Sequence, residues 1–346
     1  MNFTQTLIRW YSVNKRNLPW RSTKDPYFIW LSEVILQQTR IDQGLPYYEA
    51  FVKSFPTVFH LANANENEVL KLWQGLGYYS RARNLHYTAK YVVNELNGNF
   101  PETYSDLLKL KGVGDYTASA IASICFNEAT AVVDGNVYRV LSRFFDIESP
   151  INSTAGIKQF KTLAQEFLPQ DNIGDYNQAI MEFGAVQCKP SSPNCEICPL
   201  ASACAALAKQ KVSALPVKLK KVKVRKRFFN FLVFMSDSGE TILECRTANG
   251  IWKNLYQFPL IETSKSISIS EIKKTPELNN MVKISESQIT LYNQKDIVHK
   301  LSHQHLYAKF WIIETNKLPM SGISTSRINE FPVPVLIENF ISQFNF

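Results

Sequence analysis

Leu107 to Arg139 reads LLKLKGVGDYTASAIASICFNEATAVVDGNVYR, and the reading of this stretch decides the fold. Leu107, Leu108 and Leu110 make a short apolar helix that runs into Gly112-Val113-Gly114. Two glycines one residue apart permit a tight hairpin and let backbone N–H groups approach whatever lies outside. A second helix should follow, because Ala118, Ile121, Ala122 and Cys125 share one face at helical spacing. The free N–H groups at its start form a site for an anion such as a phosphate. Further on, Asp134-Gly135-Asn136 opens another helix, with Asp134 where an N-cap belongs.

Around this stretch the chain has two textures. Two domains are the natural expectation for 346 residues. From the start to about residue 204 the pattern is nearly all helical. Asp25 caps a helix with Pro26 at its first position, DPYFIWLSEVILQQT. Further helices are expected near 42–54, 64–73, 79–96, 104–111, 115–126, 135–145, 153–168 and 173–186. Lys209 to Arg227 then carries nine Lys or Arg and no acid. It reads as an interdomain linker, either following DNA or serving as a solvated tether. Residues 228–346 change character: FFNFLVFM, ETILECR and HLYAKFWIIE favour strands, which gives a smaller α/β domain. Residues 262–290 are polar and uninformative.

The formal charge of +8 favours an anionic partner, with nucleic acid first, although a merely basic soluble protein carries the same balance. Met1 to Arg21 has no apolar core of a signal peptide, and no apolar run approaches a membrane span. A cytoplasmic protein, nucleoid-associated in a bacterium, is therefore expected, with no membrane partner. Four of the six cysteines crowd together as Cys188, Cys195, Cys198 and Cys204, spaced C-x6-C-x2-C-x5-C. Such a set in a reducing compartment argues for thiolate ligation of a metal rather than for disulfides. Zinc modules usually show two close pairs, and only Cys195 and Cys198 form one here. Cys125 and Cys245 look like core residues.

Glu33 sits among Trp30, Leu31, Val34, Ile35 and Leu36. It either faces solvent or faces a cleft, where burial would keep it protonated as a general acid requires. Asp134, at a helix N-terminus, should stay ionised. Two carboxylates with opposed pKa shifts suit cleavage of a glycosidic bond, one protonating the leaving group and the other stabilising an oxocarbenium-like sugar.

The hairpin, Asp134 and the cysteine spacing resemble the helix-hairpin-helix, endonuclease III superfamily of DNA glycosylases. Over nearly the whole chain the sequence is similar to the adenine DNA glycosylases of the MutY type. That resemblance implies a mostly α glycosylase domain over 1–208, with a [4Fe-4S] loop at 188–204. It implies a linker over 209–227 and a Nudix-like domain that senses 8-oxoguanine over 228–346. It implies removal of adenine from A:8-oxoguanine or A:G mispairs in double-stranded DNA, during base-excision repair.

Residue by residue, the family's catalytic acid matches Glu33, its catalytic aspartate Asp134, and the supporting asparagine Asn136. Endonuclease III has a lysine two residues after the second hairpin glycine, where it forms a Schiff base. This chain has Tyr116, and a phenol cannot form an imine, so a monofunctional glycosylase is implied. Tyr116 would help to position the carboxylates. The family's adenine pocket maps onto Arg16, Trp20 and Arg21 of RNLPWR, then Leu36 and Gln178; Gln38 and Tyr78 match the residues that wedge into the duplex. Gly112, Val113 and Gly114 would meet the DNA backbone. The stretch from Gly75 to Leu85, GLGYYSRARNL, suits stacking and phosphate contact.

The C-terminal region lacks the metal-holding R-E-x-x-E-E segment of Nudix hydrolases, so binding without pyrophosphohydrolysis is implied. The family's Phe-Ser-His recognition loop matches Leu301-Ser302-His303. Asp115, an acid directly after the hairpin, should repel a phosphate; it is expected to cap the following helix and point away. The linker is where a replication clamp or another repair protein would dock, and a monomer is expected. Two rivals share these features. A bifunctional pyrimidine-lesion glycosylase/lyase is opposed by Tyr116 and the C-terminal domain, and a non-enzymatic damage-binding iron–sulfur protein is opposed by the pairing of Glu33 with Asp134.

Overall fold

A computed structural model describes residues 2–219 and 224–346. Positions 220–223 of the basic linker lie outside the described residues. The described chain forms two compact units, residues 2–63 with 84–219 and residues 64–83 with 224–346.

The first unit is helical. Its long helices are Phe3–Asn14, Pro26–Leu36, Ile41–Ser54, Asp115–Phe126, Gly135–Phe145, Thr154–Glu166 and Ile173–Val186, together with most of Ser80–Leu96. Local chemistry sets many of the starts. Asp25 accepts the Tyr27 N–H with Pro26 at the first position, Ser153 accepts the Gly156 N–H, and Asp134 accepts those of Asn136 and Val137. The hairpin is present between Tyr104–Leu107 and Asp115–Phe126. Gly112 takes φ +83°, and a Cβ there would press on the Asn84 side chain, so this turn excludes other residues.

Between Phe126 and Gly135 the chain has no regular secondary structure, and side chains satisfy its backbone. The Gln165 side chain bonds Ala129 O and Ala131 N, while Asn177 bonds Thr130 O and Val132 N. This is how Asp134 is delivered to the head of its helix. The linker begins packed on this unit: Lys209 reaches Asp146 at 2.7 Å, and the Leu219 N–H donates to Asn152 at 2.8 Å.

The second unit is built on a five-stranded sheet. Its two long strands, Arg225–Ser236 and Gln304–Thr315, run parallel in the centre, with Phe231 opposite Phe310. Leu260–Thr263 pairs antiparallel with the first, and Gln288–Leu291 and Ile297–Lys300 pair antiparallel with the second. Alternation assigns the faces. Leu232, Phe234, Trp311 and Ile313 join Ile272 and Leu278 in one buried cluster. Phe231 and Phe310 lie on the other face, and Phe340 of helix Val335–Gln343 stacks on Phe310 at 4.1 Å. The polar stretch 262–290, silent in sequence, supplies the short helices Ile269–Ile272 and Pro276–Met281. Residues 64–83 pack with this sheet: Asn254 donates to Glu66 at 2.6 Å, Arg83 to Lys253 O at 2.8 Å, and Val333 N to Gln74 at 3.1 Å.

Candidate active site

Glu33 lies in the last turns of Pro26–Leu36, Tyr116 is the second residue of the hairpin helix, and Asp134 caps Gly135–Phe145. All three open onto one cavity of about 520 Å³, also walled by Arg16, Trp20, Arg21, Leu36 and Asn136. That volume falls in the range of small-ligand pockets, about 300–1,000 Å³. An adjoining recess shares Glu33, Leu36, Tyr116 and Asp134 and adds Gln38, Gly112 and Gly114. Val113 is buried beneath the hairpin and walls neither space.

Glu33 is 9% exposed, so it faces the cleft rather than solvent. Burial pushes its carboxyl up to about 7; a hydrogen bond with Tyr116 opposes the rise and the charge of Asp134 adds to it. The Tyr116 phenol is held un-ionised by burial, and its oxygen also lies 3.2 Å from Met181 Sδ. Asp134 corrects the expectation of opposed shifts. Burial raises it too, against two backbone N–H donors, the Asn136 side chain and Arg139. Asp134 Oδ1 accepts Asn136 N and Val137 N at 2.8 Å, and Oδ2 accepts Asn136 Nδ2 at 2.7 Å. The two acids therefore differ in donors and not in the sign of their shifts: Asp134 has three N–H donors aimed at its charged form.

Asn136 is itself held. Its Oδ1 accepts Arg139 Nη2 at 2.8 Å, and the same guanidinium donates to Gly184 O at 2.6 Å and Cys188 O at 2.7 Å. Helix Ile173–Val186 approaches so closely that a Cβ on Gly184 would lie 2.8 Å from Asn136 O. A backbone neighbour cannot swing aside. Gly184→Ala is expected to cost about 1–3 kcal/mol, read from the urea midpoint, by pushing Asn136 away from Asp134.

Glu182 was not anticipated from sequence. It is buried on the same helix as Gln178, one turn on, and walls the cavity. Arg16 Nη2 and Arg21 Nη2 reach its Oε2 at 2.6 and 2.7 Å. Against the burial that would raise it, these two guanidinium groups hold its carboxyl at about 2. Gln178 does not wall the cavity, and its Oε1 accepts the Tyr11 hydroxyl at 3.1 Å. The one signal available was helical spacing, since a residue four places from Gln178 shares its face. Trp20 is both core and wall: it is buried edge-on against Tyr48 at 5.0 Å while lining the cavity.

Asp115 corrects another expectation. Gly114 occupies the N-cap position with no side-chain bond, so Asp115 caps nothing. Its carboxylate accepts the Tyr104 hydroxyl at 2.6 Å and pairs with Lys161.

The four clustered cysteines lie half-buried in one loop, and none is in a disulfide. Burial pushes Cys198 up to about 11, and Cys188, Cys195 and Cys204 add to the rise, so the four sulfurs feel one another. Arg143, 2% exposed, lies among them: its Nη1 is 3.5 Å from Cys188 Sγ, and its carbonyl is 3.5 Å from Cys204 Sγ. Among the described residues no three His, Cys, Asp or Glu side chains converge as they would around a single ion.

In the second unit, Leu301-Ser302-His303 is the turn joining Ile297–Lys300 to Gln304–Thr315, closed by Leu301 N to Gln304 O at 2.8 Å. Ser302 and His303 are exposed at its tip. Tyr78, 48% exposed with φ +48°, shares a hydrogen bond between its hydroxyl and that of Ser302. No helix among the described residues is long and apolar enough to cross a membrane.

Residues 31–166 match the family model of the HhH-GPD superfamily base excision DNA repair proteins, and residues 230–343 match a NUDIX domain. An adenine DNA glycosylase of Buchnera aphidicola subsp. Baizongia pistaciae is 35% identical over 354 residues, covering 99% of this chain and 97% of that one. The adenine DNA glycosylase of Homo sapiens is 46% identical over 213 residues, covering 59% of this chain and 39% of that one. Among solved structures, a thermostable thymine-DNA glycosylase superposes with TM-score 0.56 at 30% identity, covering 60% of this chain and 95% of that one. A non-covalent endonuclease III–DNA complex, at 22% identity and TM-score 0.52, covers 60% of this chain and 94% of that one and shares the fold.

Proposed function

We propose, because this chain belongs to the adenine DNA glycosylase family, that it hydrolyses the N-glycosidic bond of adenine mispaired with 8-oxoguanine or guanine in double-stranded DNA. The observation that carries this reading is the meeting of buried Glu33 and half-buried Asp134 at one cavity, each with different partners. The adenine must leave the base stack to reach them. In the cavity Trp20 and Leu36 offer apolar walls. Arg16 and Arg21 share the one carboxylate of Glu182, which leaves this side of the pocket net positive.

Glu33, protonated below about pH 7, gives its proton to the ring at N7. The glycosidic electron pair leaves with the base. The sugar becomes an oxocarbenium-like cation, and ionised Asp134 faces it with its own position fixed by three N–H donors. Water adds to the sugar carbon, its extra proton passes to the Glu33 carboxylate or to solvent, and an abasic site is left. Tyr116 steadies Glu33 through their hydrogen bond and offers no amine for a Schiff base, so the strand is left uncut. The hairpin Gly112-Val113-Gly114 and the exposed Gln38 would meet DNA beside this cavity.

Cys188, Cys195, Cys198 and Cys204 would hold a [4Fe-4S] cluster. An all-thiol set beside the buried guanidinium of Arg143 suits a cofactor that carries net negative charge. Held there, it would brace the loop. Through Arg139, which bonds both Cys188 O and Asn136, that loop supports the active-site carboxylate. The second unit would read the base opposite the adenine, with Ser302 and His303 as polar contacts and Tyr78 as a wedge.

The test is single-turnover cleavage of duplexes carrying adenine opposite 8-oxoguanine, guanine or thymine, developed with and without alkali. Breaks only after alkali, fastest opposite 8-oxoguanine and absent opposite thymine, are expected. Breaks without alkali would replace this reading with a glycosylase/lyase.

A further inference from the structure

The hairpin that should meet the DNA backbone carries an acid, Asp115, one residue after its second glycine. The side chain of Asp115 is 52% exposed. A carboxylate there, beside amides that bind phosphate, opposes that binding by Coulomb repulsion. The structure supplies a counter-charge from a distant helix. Lys161, on Thr154–Glu166, places its Nζ 3.0 Å from Asp115 Oδ1 and 3.1 Å from Oδ2. The same ammonium donates to Ser119 Oγ at 2.9 Å and to Ala131 O at 2.8 Å. Tyr104 completes the cluster: its hydroxyl donates to Asp115 Oδ1 at 2.6 Å, and its ring lies 5.4 Å from Lys161 Nζ.

An ammonium has three donors, and these three acceptors occupy them all. Lys161 therefore has no N–H left for a phosphate, and whatever it does for DNA binding it does through Asp115. Its acceptors come from two places that function joins. Asp115 and Ser119 belong to the hairpin helix, and Ala131 belongs to the connecting segment that ends at Asp134.

We propose that Lys161 is a positioning residue for DNA binding: it cancels the charge of Asp115 at the hairpin and turns that carboxylate toward Tyr104. The inference rests on the reading of the hairpin as the DNA-backbone contact. It applies to any duplex, because a backbone contact does not read the base. The device explains how an acid is tolerated directly after a phosphate-binding turn.

The experiment is fluorescence anisotropy with a labelled duplex bearing an uncleavable 2′-fluoro-adenosine opposite 8-oxoguanine, and with an undamaged duplex. Wild-type binding establishes the reading on which the proposal rests, and its failure would sink that reading rather than the role of Lys161. Lys161→Met is expected to bind both duplexes about fivefold more weakly, the factor for one uncompensated charge about 4 Å from another in water. Lys161→Arg should keep wild-type affinity. Asp115→Asn, introduced into Lys161→Met, should restore it, which a general loosening of the fold would not allow. Lys161→Met binding as tightly as wild type, or staying weak after Asp115→Asn, overturns the proposal.

Discussion

Glu33→Gln is expected to slow single-turnover adenine release by about 10²–10⁴-fold, the usual contribution of a positioned general acid, while leaving duplex binding intact. Glutamine keeps the shape and can still bond Tyr116, so the loss isolates the proton. The pH profile of the wild type makes the same point. Burial lifts Glu33 to about 7 from an ordinary 4.5, so the rate should fall as pH rises through about 7. Asp134, also raised, sets the acid limb, giving a bell. The linkage has a definite sign. With the folded-state value raised, the stability associated with the protonated acid is complete below pH 4.5 and is lost as pH rises through about 7. The difference amounts to about 3 kcal/mol. Glu33→Gln, which cannot ionise, should therefore melt higher than wild type at pH 8. A variant that cleaves at the wild-type rate would remove Glu33 from the chemistry.

Asp134→Asn separates a charge from a cap. The amide oxygen can still accept Asn136 N and Val137 N, so the helix start survives, and Asn caps about as well as Asp. What changes is the second oxygen, which now accepts Asn136 Nδ2 at 2.7 Å. An NH2 group there would face another NH2 group. Loss of that bond should cost about 1–3 kcal/mol in stability. Loss of the negative charge facing the cationic sugar should slow cleavage by about 10²–10³-fold. Thermal melting and single-turnover rates measured together check both. Near-normal cleavage with lowered melting would reduce Asp134 to an ordinary N-cap.

Local chemistry was legible in the sequence because it acts within one turn. Asp25 before Pro26, Asp134 before Gly135, and Gly112-Val113-Gly114 each specify their own backbone, and the structure has each as read. The strands at 225–236 and 304–315 followed from their branched and aromatic content, and the crowding of four cysteines was plain from spacing. Long-range pairing was not legible. Glu182 meets Arg16 and Arg21, and Lys161 meets Asp115, only because separate helices pack together. No periodicity announces such partners. The sign of the Asp134 shift failed for the same reason: a helix N-terminus predicts ionisation, but the surrounding helices strip water from the carboxylate and raise it. The sequence by itself determined the long helices, the two long strands, the caps at Asp25 and Asp134, and the residue types that the proposed chemistry calls on. Tertiary structure alone decided which charges are buried and which are cancelled, because desolvation and Coulomb energy depend on neighbours in space, not on neighbours in the chain.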